Sequence, residues 1–243
     1  MSRATPWLAA TAAIAAAWVG GRAYLAHEAA ARRLASRGVA VPVGEASPPR
    51  PADRIPDPRV GPLPGVTIPR RLPAFRLKNL AGQPESITRY AGRALILNFW
   101  ATWCAPCRQE IPLLQSIDRA WQARHFTVVG VAVDRREAVA AFVRRFKIAY
   151  PILQGERAAL GVIRSLGVAS PAFPFTVFTD DRGEIVALYL GELHRPQIEL
   201  ILGVVEQVDA HRLGLPTARR AIAAGLDRLR RTATNGPDRQ SAT

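Results

Sequence analysis

Cysteine is nearly absent from this chain: 243 residues contain two, Cys104 and Cys107. Two thiols exclude a disulfide-stapled scaffold and any four-cysteine zinc site. Lysine is equally scarce. Of 33 basic residues only Lys78 and Lys147 are lysine, so the formal charge of +14 is carried by arginine. Aromatic residues make up 7% of the chain, and no basic run is interleaved with them as a base-stacking platform requires. The charge is also spread out, with +6 over residues 1–73, +4 over 74–212 and +4 over 213–243. A nucleic-acid partner is therefore not expected. What the chain has in quantity is apolar residues, 49%, which excludes wholesale disorder.

The chain divides into four parts. Residues 1–24 form a signal or anchor segment, in which 4–21 carry no charge. The fifteen residues from 7 to 21 make a helix of about 22 Å, short of a hydrocarbon core of roughly 30 Å. A span becomes feasible with 4–6 added and Arg22 snorkelling, and a secretory signal has the same layout. A soluble alanine-rich helix is the plain alternative. Arg22, Arg32, Arg33 and Arg37 follow the apolar stretch and outnumber Arg3 before it, which by charge bias alone leaves the C-terminal side in the cytoplasm. Residues 25–73 read as an Arg-rich helix followed by a stalk, since 42–73 hold ten prolines in 32 residues. Such a segment runs as semi-rigid polyproline II, reaching on the order of 100 Å.

The folded domain is placed at 74–212, and 213–243 is a basic tail whose first half is an Arg-rich helical stretch. Within the domain, 74–77 and 85–87 flank Gly82 as a hairpin. The runs 94–100 (ALILNFW) and 126–133 (FTVVGVAV) are apolar enough to be strands buried on both faces. Helices are expected over 105–124, with Pro112 bending it, from Asp134 (capping-box spacing to Glu137) to about 147, over 158–166 and over 196–211. Strands at 175–179 and 184–190 join through Asp180-Asp181-Arg182-Gly183, a hairpin turn signal. This order predicts an α/β fold, a central mixed sheet with helices on both faces.

The chemistry lies in Trp103-Cys104-Ala105-Pro106-Cys107, placed where a buried strand turns into a helix. Cys104 would sit at the helix N-terminus, where free N–H groups and the dipole favour thiolate. Cys107, one turn on, can attack a mixed disulfide formed on Cys104, which is two-electron thiol–disulfide exchange. Pro106 stiffens the turn between them. A zinc half-site would need two more ligands, and His27, His125, His194 and His211 are not at ligand spacing. A purely structural disulfide in so small a ring would constrain little. Trp100 is read as core and Trp103 as active-site rim, His194 as a surface residue, and no cofactor is needed.

Residues 74–190 resemble the thioredoxin-like fold, specifically the TlpA-like (ResA/CcmG-type) branch of membrane-tethered thiol–disulfide oxidoreductases. The resemblance is carried by "AFRLKNLAGQPESITRYAGRALILNFWATWCAPCRQEIP" and "FPFTVFTDDRGEIV". It implies an N-terminal β-hairpin, a helical insert over 134–166, and a redox-active Cys104–Cys107 disulfide. It makes Pro174 a cis-proline facing the dithiol, with Pro171 the nearest rival, and Phe173 the residue whose backbone meets substrate. Trp103, Ala105 and Pro106 complete the expected substrate surface. Asn98 stands where thioredoxins carry a buried Asp and cannot titrate. Glu110 is where this branch carries an acid near the dithiol, able to take the Cys107 proton if buried. The alternative is a solvated glutamate paired with Arg108 or Arg124. The expected function is reduction of disulfides in envelope proteins, apocytochrome c among them, on the periplasmic side of the bacterial inner membrane. A transmembrane thiol carrier would be the electron donor. A copper- or zinc-binding thiol assembly module and a peroxiredoxin-like peroxidase are the competing readings.

Overall fold

The computed structural model describes residues 68–168 and 172–234, all within the compact unit Pro56–Thr243. The apolar segment at 4–21, the Arg-rich stretch, the stalk before residue 68, Pro171 and the last nine residues lie outside the described residues. No described helix is long and apolar enough to cross a membrane.

Seven strands form one mixed sheet. They are β1 (Arg76–Asn79), β2 (Pro84–Ser86), β3 (Ala94–Trp100), β4 (Phe126–Ala132), β5 (Ile152–Gln154), β6 (Phe175–Thr179) and β7 (Ile185–Leu190). Their order across the sheet is β2-β1-β5-β4-β3-β6-β7. The central strands β3, β4 and β5 are parallel, and the flanking pairs are antiparallel. Every residue of β3 is buried, as expected of a strand covered on both faces. The predicted α/β fold with its mixed sheet and opening hairpin is the observed one. Strand β5 was not expected: three residues after a proline are too short for any periodic signal.

Helices α1 (Ala105–Trp121), α2 (Arg136–Phe146), α3 (Glu156–Ser165), α4 (Arg195–Asp209) and α5 (Leu215–Thr234) follow the strands. Alternation along the strands sorts the interior into two cores. On one face Ile96, Trp100, Val128 and Phe178 pack with Cys107, Ile111 and Leu114 of α1 and Ile201 and Val205 of α4. On the other, Leu95, Leu97, Phe99, Val129, Val131 and Val177 pack with Val162 and Ile163 of α3.

The expected boundary at 212 falls inside packed structure. Ala218 and Ile222 of α5 are buried in the first core, and the arginine-rich side of the helix faces outward. Gly225 makes this contact close, because a Cβ there would lie 2.6 Å from Leu200 Cδ2 on α4. At the other end, Ile68 and Leu72 already pack on the second core. The capping-box expectation at Asp134 is also replaced. Helix α2 starts at Arg136 after an N-cap Arg135 that makes no side-chain cap, and the Asp134 carboxylate turns elsewhere.

Neither sheet edge is left open at its exposed end. Strand β2 is three residues long and begins with Pro84, which cannot donate to a further strand. On β7, Arg71 bridges Glu184, the Ile185 N–H donates to the Arg70 carbonyl, and Arg219 donates to the Ile185 carbonyl.

Candidate active site

The chain leaves β3 at Trp100, turns through Ala101-Thr102-Trp103 and enters α1 with Cys104 as its N-cap. Cys104 has extended backbone angles, and its sulfur accepts the Cys107 N–H at 3.2 Å. Ala105 and Pro106 form the first turn, where the missing proline N–H costs nothing. The two cysteines are joined by a disulfide, S–S 2.02 Å, and both are buried. The turn before them is held by Asp134 at the end of β4, whose carboxylate accepts from the Thr102 N–H at 3.3 Å and from the Thr102 hydroxyl. Sequence reasoning assigned Asp134 to a helix cap and missed this tether. Its only trace in the sequence is an acid directly after a strand paired in parallel with the one that carries the dithiol.

At the start of β6, beside the end of β3 that leads into the dithiol turn, the Phe173–Pro174 peptide is cis, and the Pro174 carbonyl accepts the Gly191 N–H at 2.9 Å. The Phe173 ring meets Trp103 edge-on, with ring centroids 5.9 Å apart. Trp103 is 66% exposed, whereas Trp100 is fully inside the core. His194 is exposed at the start of α4.

Glu110 sits one turn after Cys107 on the buried stripe of α1, where Cys107, Ile111, Leu114 and Ile117 also point inward. It is 1% exposed. No salt bridge to Arg108 or Arg124 holds it. Instead the Asn98 amide donates to one carboxyl oxygen at 2.6 Å and the Leu193 backbone N–H donates to the other at 3.0 Å. Asn98 also donates to the Thr176 hydroxyl at 3.0 Å. Burial is the dominant influence and pushes the Glu110 pKa up to about 7, the two hydrogen bonds pulling it part of the way back. Asn98, which cannot titrate, thus positions the acid that can. Thr176 and the Leu193 N–H are site components that sequence reasoning did not single out.

A cysteine pair at the head of a helix that follows a central strand, with a cis-prolyl peptide leading the strand paired beside it, defines a thioredoxin-like redox protein. Comparison with known proteins agrees. The AhpC/TSA family profile matches residues 68–188. The thioredoxin-like protein YneN of Bacillus subtilis is 32% identical over 139 residues, 56% of this chain and 78% of that protein. The thiol-disulfide oxidoreductase ResA of Geobacillus thermodenitrificans is 28% identical over 135 residues, 55% of this chain and 75% of that one. In fold, the chain is similar to a thiol:disulfide interchange protein DsbE of Chlorobium tepidum, at 23% identity and TM-score 0.51, covering 59% of this chain and 98% of the other. The chain belongs to the TlpA-like, ResA-type thioredoxin-fold proteins, and it is a thiol–disulfide oxidoreductase.

Proposed function

We propose that the protein reduces disulfides of exported proteins, with Cys104 as nucleophile, Cys107 as resolving thiol and Glu110 as the base that serves Cys107. The Cys104 thiolate attacks a client disulfide; an S–S bond forms between Cys104 and the client, and one client sulfur departs as thiolate. The Cys107 thiol then gives its proton to the Glu110 carboxylate and attacks the Cys104 sulfur. The Cys104–Cys107 disulfide forms, the mixed disulfide breaks, and the second client sulfur leaves and is protonated. Two electrons pass from the dithiol to the client.

The buried carboxyl of Glu110, one helical turn from Cys107, is the observation that carries this assignment. A base with pKa about 7 holds comparable amounts of both protonation states at neutral pH, so it can take a proton in one half of the cycle and return it in the other. The cysteine order is supported by the place of Cys104 as N-cap of α1, where its sulfur accepts the Cys107 N–H. Trp103, Ala105, Pro106 and Phe173 form the surface that receives the client, and the Phe173 backbone ahead of cis Pro174 pairs with an extended client segment.

The domain is held at the outer face of the cytoplasmic membrane by residues 1–24 and stands off it on the stalk of residues 25–73. A transmembrane thiol carrier returns it to the dithiol state, and haem-binding thiols of apocytochrome c are among its clients. Trapping tests the central assignment. Cys107→Ser should accumulate a client as a mixed disulfide through Cys104; if Cys104→Ser traps one instead, the two roles are reversed.

A further inference from the structure

Beneath helix α1 the ladder registers place five residues in one row across the sheet: Tyr189, Thr176, Asn98, Gly130 and Ile152. Asn98 in the middle holds Glu110. Gly130 stands directly beside it, and two aromatic side chains close over that glycine. A Cβ at Gly130 would lie 2.6 Å from Ile152 Cδ1, 3.0 Å from Trp100 Nε1 and 3.2 Å from the Tyr150 ring, so a larger residue would push these side chains away. The glycine therefore lets an indole N–H and a phenol come in next to the site of Glu110.

Both polar atoms are buried. Tyr150 is 4% exposed and Trp100 is 1% exposed. Neither the Tyr150 hydroxyl nor the Trp100 indole N–H has a hydrogen-bond partner among the described residues. Leaving such a group without a partner is unfavourable, and native interiors supply partners to nearly all of them. A water with two to four polar partners is the usual means. Here an indole donor and a phenol that both donates and accepts lie over Gly130, and Asn98, its neighbour in the row, holds the carboxyl acceptor.

We propose that a buried water joins the Tyr150 hydroxyl and the Trp100 indole N–H to the Glu110 carboxyl, and that Tyr150 is a positioning residue for the Glu110 base. The inference rests on the reading of Glu110 given above. The phenol and indole act on Glu110 through the water, favouring its carboxylate by donated hydrogen bonds. Glu110 in turn contributes to raising the Tyr150 pKa, which places the two within electrostatic reach; burial is the larger cause. The other titratable groups on this side of the sheet are Cys104, Cys107 and Asp118 at α1, Tyr189 on β7 and Glu192 after it. Strands β3 and β6 contribute only the uncharged Asn98 and Thr176.

The test is the rate of insulin reduction by the full chain between pH 5 and 9, in four forms: unaltered, Tyr150→Phe, Glu110→Gln and the double variant. The unaltered protein should lose rate as pH falls through about 7, and Glu110→Gln should remove that limb. Tyr150→Phe should move the limb up by roughly half a pH unit, slowing the reaction about threefold on its acid side. In the Glu110→Gln background it should do nothing more. If Glu110→Gln leaves the limb in place, the reading of Glu110 is lost. If Glu110→Gln removes the limb but Tyr150→Phe leaves it where it was, the role of Tyr150 is lost and Glu110 stands. A second measurement needs no variant: the Trp100 indole proton should show magnetisation transfer from a long-lived water in NMR spectra, and its absence overturns the bridge.

Discussion

The two faces of the sheet are built from different materials. The face under α3 is almost wholly apolar: Leu95, Leu97, Phe99, Val129, Val131, Phe175 and Val177 cluster there, Phe99 stacks on Phe175 at 4.4 Å, and the buried Thr179 hydroxyl accepts the Leu95 N–H. The face under α1 and α4 carries the disulfide, Asn98, Thr176, Glu110 and two orphaned polar atoms on Trp100 and Tyr150. One strand, β3, supplies both faces by alternation. Stability and reactivity are thereby assigned to opposite sides of the same seven residues. A buried carboxyl is destabilising when ionised, so the dry face must support the wet one.

Four substitutions would break or sharpen that division. The largest effect falls on the reactive face: Cys104→Ser should abolish disulfide exchange while leaving the reduced fold intact, since a ring so short contributes little constraint. Insulin reduction and urea unfolding read the two halves of that statement. Next, Leu97→Ala on the apolar face should cost about 2–5 kcal/mol of stability through the cavity it leaves. The pH dependence of exchange by its folded fraction should be unchanged. A shifted pH profile there would mean that the two faces are coupled.

Glu110→Gln should act on the pH dependence of stability in the opposite sense to loss of a salt-bridged carboxylate. Its folded pKa lies above its unfolded value of 4.5 and reaches about 7. Between those values the native state holds a proton that the unfolded state has released, so stability is fully present below 4.5 and falls as pH rises toward 7. The slope integrates to about 3 kcal/mol at most. Urea midpoints at pH 4.5 and 7.5 should converge in Glu110→Gln relative to the unaltered protein; the smaller parallel trend from Asp209, whose burial raises its pKa to about 6, remains. The smallest effect is at the rim. Trp103→Ala should leave stability within about 0.5 kcal/mol, because the side chain is mostly exposed, while raising KM for a protein client severalfold.

Much of this was legible from residues alone. Unbroken apolar runs announced β3 and β4, and the Trp-Cys-Ala-Pro-Cys turn between strand and helix announced the dithiol. Even the inward direction of Glu110 is written in the sequence, at three residues from Cys107 and four from Leu114. What was not legible required partners far apart in the chain. Asp134 looked like a cap because Glu137 lies at the right spacing, but the Thr102 hydroxyl 32 residues upstream takes its carboxylate. The row from Tyr189 to Ile152 exists only once five strands are in register. Helix α5 looked like a charged tail because it holds five arginines against one acid, Asp227, and only the docking of Ala218 and Ile222 shows which side faces in.

The closed edges of the sheet carry a last consequence. An extended polypeptide that meets a thioredoxin-like domain can add itself wherever backbone groups stand unpaired. Pro84 blunts one margin of this sheet, and residues 70–72 with Arg219 occupy the start of the other. Both margins are thus partly closed to strand addition, which favours the proposed client site at the Phe173 backbone. Geometry of refusal elsewhere becomes a form of aim: on the function proposed here, a client strand turned away from the margins is left with the place where its sulfurs can react.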